Sequence, residues 1–402
     1  MIYSPRDYQA EGIEAGLEHF RSGKGNGVIV APTGSGKSLY IAGMADKLDD
    51  PVLVFQPSRE ILEQNYEKLV NFGYHPGVFS ASAGKKQIKH ITLATIGSAA
   101  NRPDSFKHFS HIIIDECHLA DNALDKSKES TMFSRFLAEM NHPRLVGLTA
   151  TPWKLRSNMA GSQNKFITRL QKGLWDEVIH LTQIGDLLDQ GYIAKAEYFR
   201  SKGIDPSTLK INSSGSDYTD ASVRAAIADC ELETKVINMC QRLVKHGRKS
   251  ILVFVPFVEN ARKVAQFYPD AEMVSGETPK KERSSIITRF RSGRTKIVVN
   301  VGVMTTGFDY PELDTVILAR PTKSLSLYYQ MVGRVLRPHP SKTSAYVVDL
   351  VEATKNFGPV SDFRITKDYK GRWVVRSGDR QLTNTYISEP KVDYSSAGPR
   401  SW

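Results

Sequence analysis

The octapeptide APTGSGKS, residues 31–38, follows the apolar run GVIVA and sets a lysine and a hydroxyl side by side behind two glycines. Gly34 and Gly36 let the backbone curl so that its N–H groups converge on an anion, and a helix starting behind them adds the partial positive charge of its N-terminus. In such a loop, completed by Pro32, Thr33 and Ser35, Lys37 would neutralise the β and γ phosphates of ATP and Ser38 would ligate Mg²⁺. Ala31 stands where the pattern G-x-x-x-x-G-K-[ST] has its first glycine. The second half of a phosphate site is a strand ending in acids, and HIIIDECH (111–118) supplies Asp115 and Glu116 directly after an apolar run. Asp115 would hold the metal, mostly through water, and Glu116 would orient and deprotonate the attacking water. The chemistry these residue types suit is metal-assisted hydrolysis of a phosphoanhydride.

A third group sits far along the chain. QMVGRVLRP, residues 330–338, places Gln330, Arg334 and Arg337 at i, i+4 and i+7, so that a helix would carry them on one face, with no acid nearby in sequence to pair with them.

Elements that position these groups are legible from the apolar periodicity. Short β-branched runs (GVIVA, PVLVF, HITLAT, HIIID, RLVGLTAT) alternate with helical stretches such as EILEQNYEKLVNF, the pattern of βαβ units around a parallel sheet. The alternation restarts after the polar interval KINSSGSDYTDAS (210–222), with SILVFV, KIVVNV, DTVILA and SAYVVDL. We expect two α/β domains, residues 1–175 and 176–351, and a short basic extension, 352–402. The 402 residues suffice for two cores, since single cores stop growing at roughly 250 residues.

With 54 Lys and Arg against 43 Asp and Glu, the net charge of +11 favours a polyanionic partner. The longest apolar runs fall short of the ~20 residues that span a membrane, so no membrane association is expected. The N-terminus MIYSPRDYQAEG has neither the basic start nor the apolar centre of a secretory signal, which predicts residence in the cytoplasm or its equivalent. Cys117, Cys230 and Cys240 show neither metal-ligand spacing nor an even disulfide count.

Taken in order, the loop and the acid pair resemble motifs I and II of the superfamily 2 helicases and translocases. That resemblance implies two tandem RecA-like domains with ATP in the cleft between them. It implies that Gln9 in PRDYQ, with Arg6 beside it, reads adenine, and that TATP from Thr149 through Ala150 and Thr151 acts with His118 to couple hydrolysis to motion. Arg334 and Arg337 are similar to the motif VI arginines that stabilise the γ-phosphate in the transition state, with Gln330 opening that motif. NVGVMTTGFD (300–309) resembles motif V, in which Thr305, Thr306 and Gly307 would touch the tracked strand and Asp309 the nucleotide or the coupling network.

Further polymer contacts implied by the resemblance are Pro57, Ser58 and Arg59 in PSRE, and Thr95 and Gly97 in ATIGS. Arg59 is equally placed to pair with a nearby Glu. The basic stretch 153–173 reads as a loop, either touching the polymer or merely solvated; Trp373 either stacks on a base or wedges a duplex or, the favoured reading, packs a small sheet against its own domain. Within the superfamily, TATPWKLRS and the run from Thr305 to Pro338 look most like the RadD branch of DNA-repair helicases, with XPB and UvsW more distant. RadD-type proteins carry a cysteine-rich C-terminal region that this sequence lacks, so functions resting on that region are not carried over. The expected partner is single-stranded or branched DNA, with RNA as the alternative, and the expected state a monomer. The expected activity is that of an ATP-driven DNA helicase or translocase; a nucleotide-dependent clamp without unwinding is the rival.

Overall fold

The computed structural model describes residues 4–386 apart from 23, 121–130, 159–160, 171–172, 305–308 and 343. Parallel strands with apolar residues on both faces need cover on both faces, and helices between consecutive strands provide it. The first unit takes in the described residues up to Trp153 together with Phe166–Gln183. Its strands are β1 (Gly27–Val30), β2 (Val52–Phe55), β3 (Gly77–Ser80), β4 (Lys85–Lys86), β5 (Ile91–Ala94), β6 (His111–Asp115) and β7 (Arg144–Thr149). After a two-stranded sheet of β8 (Trp153–Asn158) and β9 (Gly161–Phe166), β10 (Glu177–Leu181) returns to the first sheet. The order β10-β1-β7-β6-β2-β5-β3-β4 is parallel except at β3–β4. Every residue of β1, β2 and β6 is buried, as strands covered on both faces must be, and in β6 this includes His111 and Asp115 at the ends of the apolar run. β10 lies past residue 175, where the repeat in the sequence suggests a boundary, because it pairs with β1 on the side opposite β7.

The second unit comprises Lys154–Lys165 and the described chain from Ile184 on. Here β11 (Ala196–Arg200), β12 (Ile251–Phe254), β13 (Ala271–Val274), β14 (Ile297–Asn300), β15 (Thr315–Leu318) and β16 (Ala345–Asp349) form a parallel sheet in the order β11-β16-β15-β12-β14-β13. Antiparallel β17 (Phe363–Lys367), β18 (Trp373–Ser377) and β19 (Arg380–Gln381) make a small sheet. Its Phe363 stacks on Tyr329 with ring centroids 6.1 Å apart, and Tyr328 donates to the carbonyl of Gly358 at 2.8 Å. The small sheet thus braces the helix Leu325–Gly333, and Trp373 lies within it with Lys367 over its ring. No helix among the described residues is long and apolar enough to cross a membrane.

Within the stretch expected as a basic loop, Trp153–Asn158 and Gly161–Phe166 are instead the paired strands β8 and β9, with Trp153 (1% exposed) and Phe166 (0%) buried at their outer ends. In β9 the buried positions include Ser162 and Asn164, so no apolar alternation marks it as a strand.

One close approach positions the acid pair. Gly147 in β7 faces Cys117, and a Cβ placed there would lie 2.6 Å from Cys117 Sγ and 2.6 Å from the Trp175 ring. Trp175 Nε1 in turn donates to the Cys117 carbonyl at 3.1 Å. The missing side chain lets the turn after β6 settle on the sheet. Gly147→Ala is expected to destabilise the first unit by about 1–3 kcal/mol through overpacking, read as a lowered midpoint in chemical denaturation; an unchanged midpoint would show that Cys117 and Trp175 give way freely.

Candidate active site

At the carboxyl ends of the first sheet's strands, where ligands of open α/β sheets bind, the structure gathers most of the residues picked out in the first half of the sequence. Gly34 and Gly36 both adopt left-handed backbone conformations, φ 87° and 82°. Gly36 is required twice over, since a Cβ there would also meet Gln9 Nε2 at 2.7 Å. Ala31 continues the ladder from β1, its N–H donating to the Thr149 carbonyl at 2.9 Å, so the first position of the loop needs no glycine. Pro32, Thr33 and Ser35 are buried, and the hydroxyls of Thr33 and Ser35 have no hydrogen-bond partner among the described residues. Buried hydroxyls without partners are costly unless something fills the loop, and phosphate oxygens would supply acceptors. The loop therefore fits a triphosphate.

Gln9 is buried. Its Oε1 accepts from the backbone N–H of Arg6 at 2.9 Å and its Nε2 donates to the Ser35 carbonyl at 2.7 Å. Tyr8 donates to the same carbonyl at 3.0 Å. The helix Asp7–Ser22 thus grips the phosphate loop from its first turn, and the glutamine keeps one N–H and one lone pair for a base.

Lys37 Nζ lies 3.2 Å from Glu116 Oε1. Glu116 has φ 48°, an unusual left-handed conformation for a residue with a side chain. That twist, of the kind that costs about 1–3 kcal/mol, aims its carboxylate at both Lys37 and His118, whose Nδ1 is 3.5 Å from Oε2. His118 Nδ1 is also 2.9 Å from Thr149 Oγ1 and 3.4 Å from Thr151 Oγ1, while the Thr151 N–H donates to Thr149 Oγ1 at 3.0 Å. The acid turn and the TATP segment, with Ala150 buried between the two threonines, form one buried hydrogen-bonded cluster.

Asp115 is 5% exposed, and burial together with the Glu116 carboxylate pushes its pKa up to about 6, against the pull of Lys37. The Glu116 N–H donates to its Oδ1 at 3.0 Å. Its Oδ2 accepts from Asn65 Nδ2 at 3.1 Å, and Asn65 Oδ1 accepts from the Ser38 hydroxyl at 2.6 Å. Asn65 was not among the residues picked out by motif; the available signal was a polar residue between Leu62 and Leu69 on the buried stripe of its helix. Because Ser38 donates its proton to Asn65, its lone pairs are left to face a cation. No cluster of three or more His, Cys, Asp or Glu side chains suited to a metal occurs among the described residues, so Mg²⁺ would need phosphate oxygens to complete its shell, its usual habit in nucleotide sites. Ser38 and Asp115 fit that role.

The polymer candidates differ among themselves. Pro57 is exposed; Ser58 caps the helix Arg59–Asn71 by accepting from the Ile61 N–H at 3.3 Å. Arg59 Nε lies 2.5 Å from Glu63 Oε1, and its Nη1 donates to the Ser82 carbonyl, so the guanidinium has found the nearby Glu. Thr95 hydrogen-bonds Ser98 at 3.0 Å, and Gly97 is exposed, its nearest neighbour being Met132 Sδ, 4.0 Å from where a Cβ would stand. Thr305, Thr306 and Gly307 lie outside the described residues.

In the second unit the expectation of a single helical face is corrected. The helix ends at Gly333; Arg334 caps it and Arg337 lies beyond. Pro338 excludes helical geometry from the residue before it, and the turn tightens with the Val335 N–H donating to the Val332 carbonyl. Arg334 is buried, its Nε donating to the Gln330 carbonyl at 3.3 Å. Arg337 Nη1 lies 2.5 Å from Asp309 Oδ1. Burial lowers the Arg337 pKa, and Asp309 opposes that shift.

Comparison with known proteins agrees with this layout. Residues 2–154 match the family described as type III restriction enzyme, res subunit, and residues 234–339 match the helicase conserved C-terminal domain. A 51.5 kDa protein of a Lactococcus phage (isolate 7-9) is 31% identical over 86% of this chain and 70% of its own length. The DNA 3'-5' translocase XPB2 of Sulfurisphaera tokodaii is 24% identical over 90% of this chain and 83% of its own. Among solved structures, the ATP-dependent type ISP restriction-modification enzyme LlaBIII bound to DNA superposes with a TM-score of 0.60 at 16% identity, over 87% of this chain and 28% of that one. Of several other curated relatives the chain spans about half the length. One matched stretch carries the phosphate loop with its acid pair and the other carries Gln330, Arg334 and Arg337, and with a relative at 31% identity over most of both lengths, the chain belongs to the ATP-dependent helicases of superfamily 2.

Proposed function

We propose that the chain is a Mg²⁺-ATP-driven DNA translocase or helicase that works as a monomer. The observation that carries this reading is the resting Lys37–Glu116 ion pair beside the hydrogen-bonded His118–Thr149–Thr151 cluster. An arriving γ-phosphate would draw Lys37 away from Glu116. The freed carboxylate would then accept a proton from water, and any shift of Glu116 would be felt by His118 and through it by the TATP segment. Arg334 and Arg337 would neutralise charge on the γ-phosphate as it transfers, Asp309 holding Arg337 ready. DNA as the polymer is supported by the named activity of the XPB2 relative and by the net charge of +11. Grip on it would come from the accessible Pro57–Ser58 and Thr95–Gly97 turns, whose groups suit phosphate contacts without sequence preference.

Glu116→Gln is expected to lower ATP turnover by about 10²–10⁴-fold, the usual worth of a positioned general base, while nucleotide still binds; Lys37→Ala should lose binding as well. Arg334→Ala should cost on the order of 10³-fold or more in turnover with nucleotide affinity little changed, and near-normal turnover would remove the arginine from the reaction. Polymer identity is tested by ATPase stimulation and strand displacement on forked, gapped and four-way DNA and on RNA equivalents at one salt concentration. Stimulation by DNA with displacement is expected; stimulation by RNA alone would reassign the substrate, and stimulation without displacement on any substrate would make the chain a translocase or clamp.

A further inference from the structure

We infer that Asn65 is a positioning residue for the metal: its amide sets the orientation of both groups that would hold Mg²⁺, a role that rests on the ATPase reading above. The helix Arg59–Asn71 buries Leu62, Asn65 and Leu69. A polar side chain on such a stripe is retained only if its hydrogen bonds are met. Those of Asn65 are met by site residues. Its Oδ1 accepts from Ser38 Oγ at 2.6 Å, and its Nδ2 donates to Asp115 Oδ2 at 3.1 Å and to Gln56 Oε1 at 2.9 Å. Both N–H bonds of the amide are used, one on each acceptor.

The directions of these bonds matter more than their number. Ser38 has one proton, and giving it to Asn65 leaves both lone pairs for a cation. Asp115 accepts one donor on each oxygen, from Asn65 and from the Glu116 N–H, and keeps a lone pair on each. A neutral amide is the side chain that can accept from one and donate to the other at the same time. A carboxylate in its place could not donate to Asp115, and a hydroxyl would be too short to reach both. Gln56, directly after β2, accepts the amide's other N–H through its Oε1 and so favours the rotation in which Asn65 Oδ1 faces Ser38. Groups that orient metal ligands in this way typically change metal affinity by about 10–100-fold when removed.

The test measures binding of a fluorescent ATP analogue to the full chain, with EDTA and across a Mg²⁺ titration, alongside ATP turnover. Asn65→Ala is expected to match the parent protein in EDTA but to need about 10–100-fold more Mg²⁺ to reach the same gain in affinity, and turnover should recover at high Mg²⁺. Asn65→Gln, which keeps the amide and is the safer variant for folding, should shift the Mg²⁺ requirement in the same direction by less. An unchanged Mg²⁺ requirement in both variants, or an equal loss of binding in EDTA and in Mg²⁺, would overturn the inference. If the parent protein shows neither Mg²⁺-dependent nucleotide binding nor turnover, the ATPase reading itself fails, an outcome separate from the first.

Discussion

A carboxylate removed from water beside a second carboxylate is the constraint around which the first unit is arranged. Asp115 and Glu116 are consecutive, and Asp115 is only 5% exposed. Left to burial and to its neighbour, Asp115 tends toward the protonated form, and the Lys37 ammonium, the Glu116 N–H and the Asn65 amide resist that tendency. A lone buried charge would cost several kcal/mol; a charge surrounded by donors and one cation is held at a cost the fold can meet. The same donors leave the site short of one more positive charge, which is the condition for recruiting a metal along with a polyphosphate. Burial, charge and catalysis here are one arrangement viewed at different distances.

That arrangement explains which features were legible from the residues alone. The phosphate loop is local: two glycines, a lysine and a hydroxyl in consecutive order dictate the backbone, and Gly34 and Gly36 take the conformations their type allows. The acid pair follows the apolar run Ile112–Ile114, so its place at the carboxyl end of β6 was legible from the same pattern. Asn65 was not legible because nothing local distinguishes it; only the neighbours it meets in space, Ser38 and Asp115, are chemically distinctive. The β8–β9 pair escaped for a different reason. Its buried side chains in β9 include Ser162 and Asn164, and a strand that buries polar residues presents no alternation to read.

The second unit shows how a spacing argument can be right about residues and wrong about geometry. Gln330, Arg334 and Arg337 sit at helical intervals, yet the helix stops at Gly333, the chain tightens with the Val335 N–H donating to the Val332 carbonyl, and Pro338 disfavours helical geometry at Arg337. Arg337 is therefore held by a carboxylate and not by helical register. That carboxylate, Asp309, precedes it by the whole of β15 and the helix Leu325–Gly333, an interval no local pattern reveals. Their pairing follows from the chain's return to the start of β15: Lys342 Nζ donates to the carbonyls of Pro311, Leu313 and Val335 and so holds the turn after the helix against the segment leading into β15, where the Asp309 carbonyl also accepts from Arg291. A guanidinium desolvated this far needs an anion at all times, and Asp309 supplies one.

The helix Arg59–Asn71 draws these threads together within the first unit. Its N-terminus, capped by Ser58, emerges beside exposed Pro57 where a phosphate backbone would lie, and Asn65 follows Arg59 by about 9 Å along the axis at ~1.5 Å per residue. A helix is stiff over that length, and Leu62 and Leu69 pin it to the core on either side of Asn65. At the other end the Asn65 amide is tied to Ser38, Gln56 and Asp115 at once. On the proposed function, a polymer gripped at Pro57–Ser58 would lie about two turns of one stiff helix from the amide that meets Ser38 and Asp115.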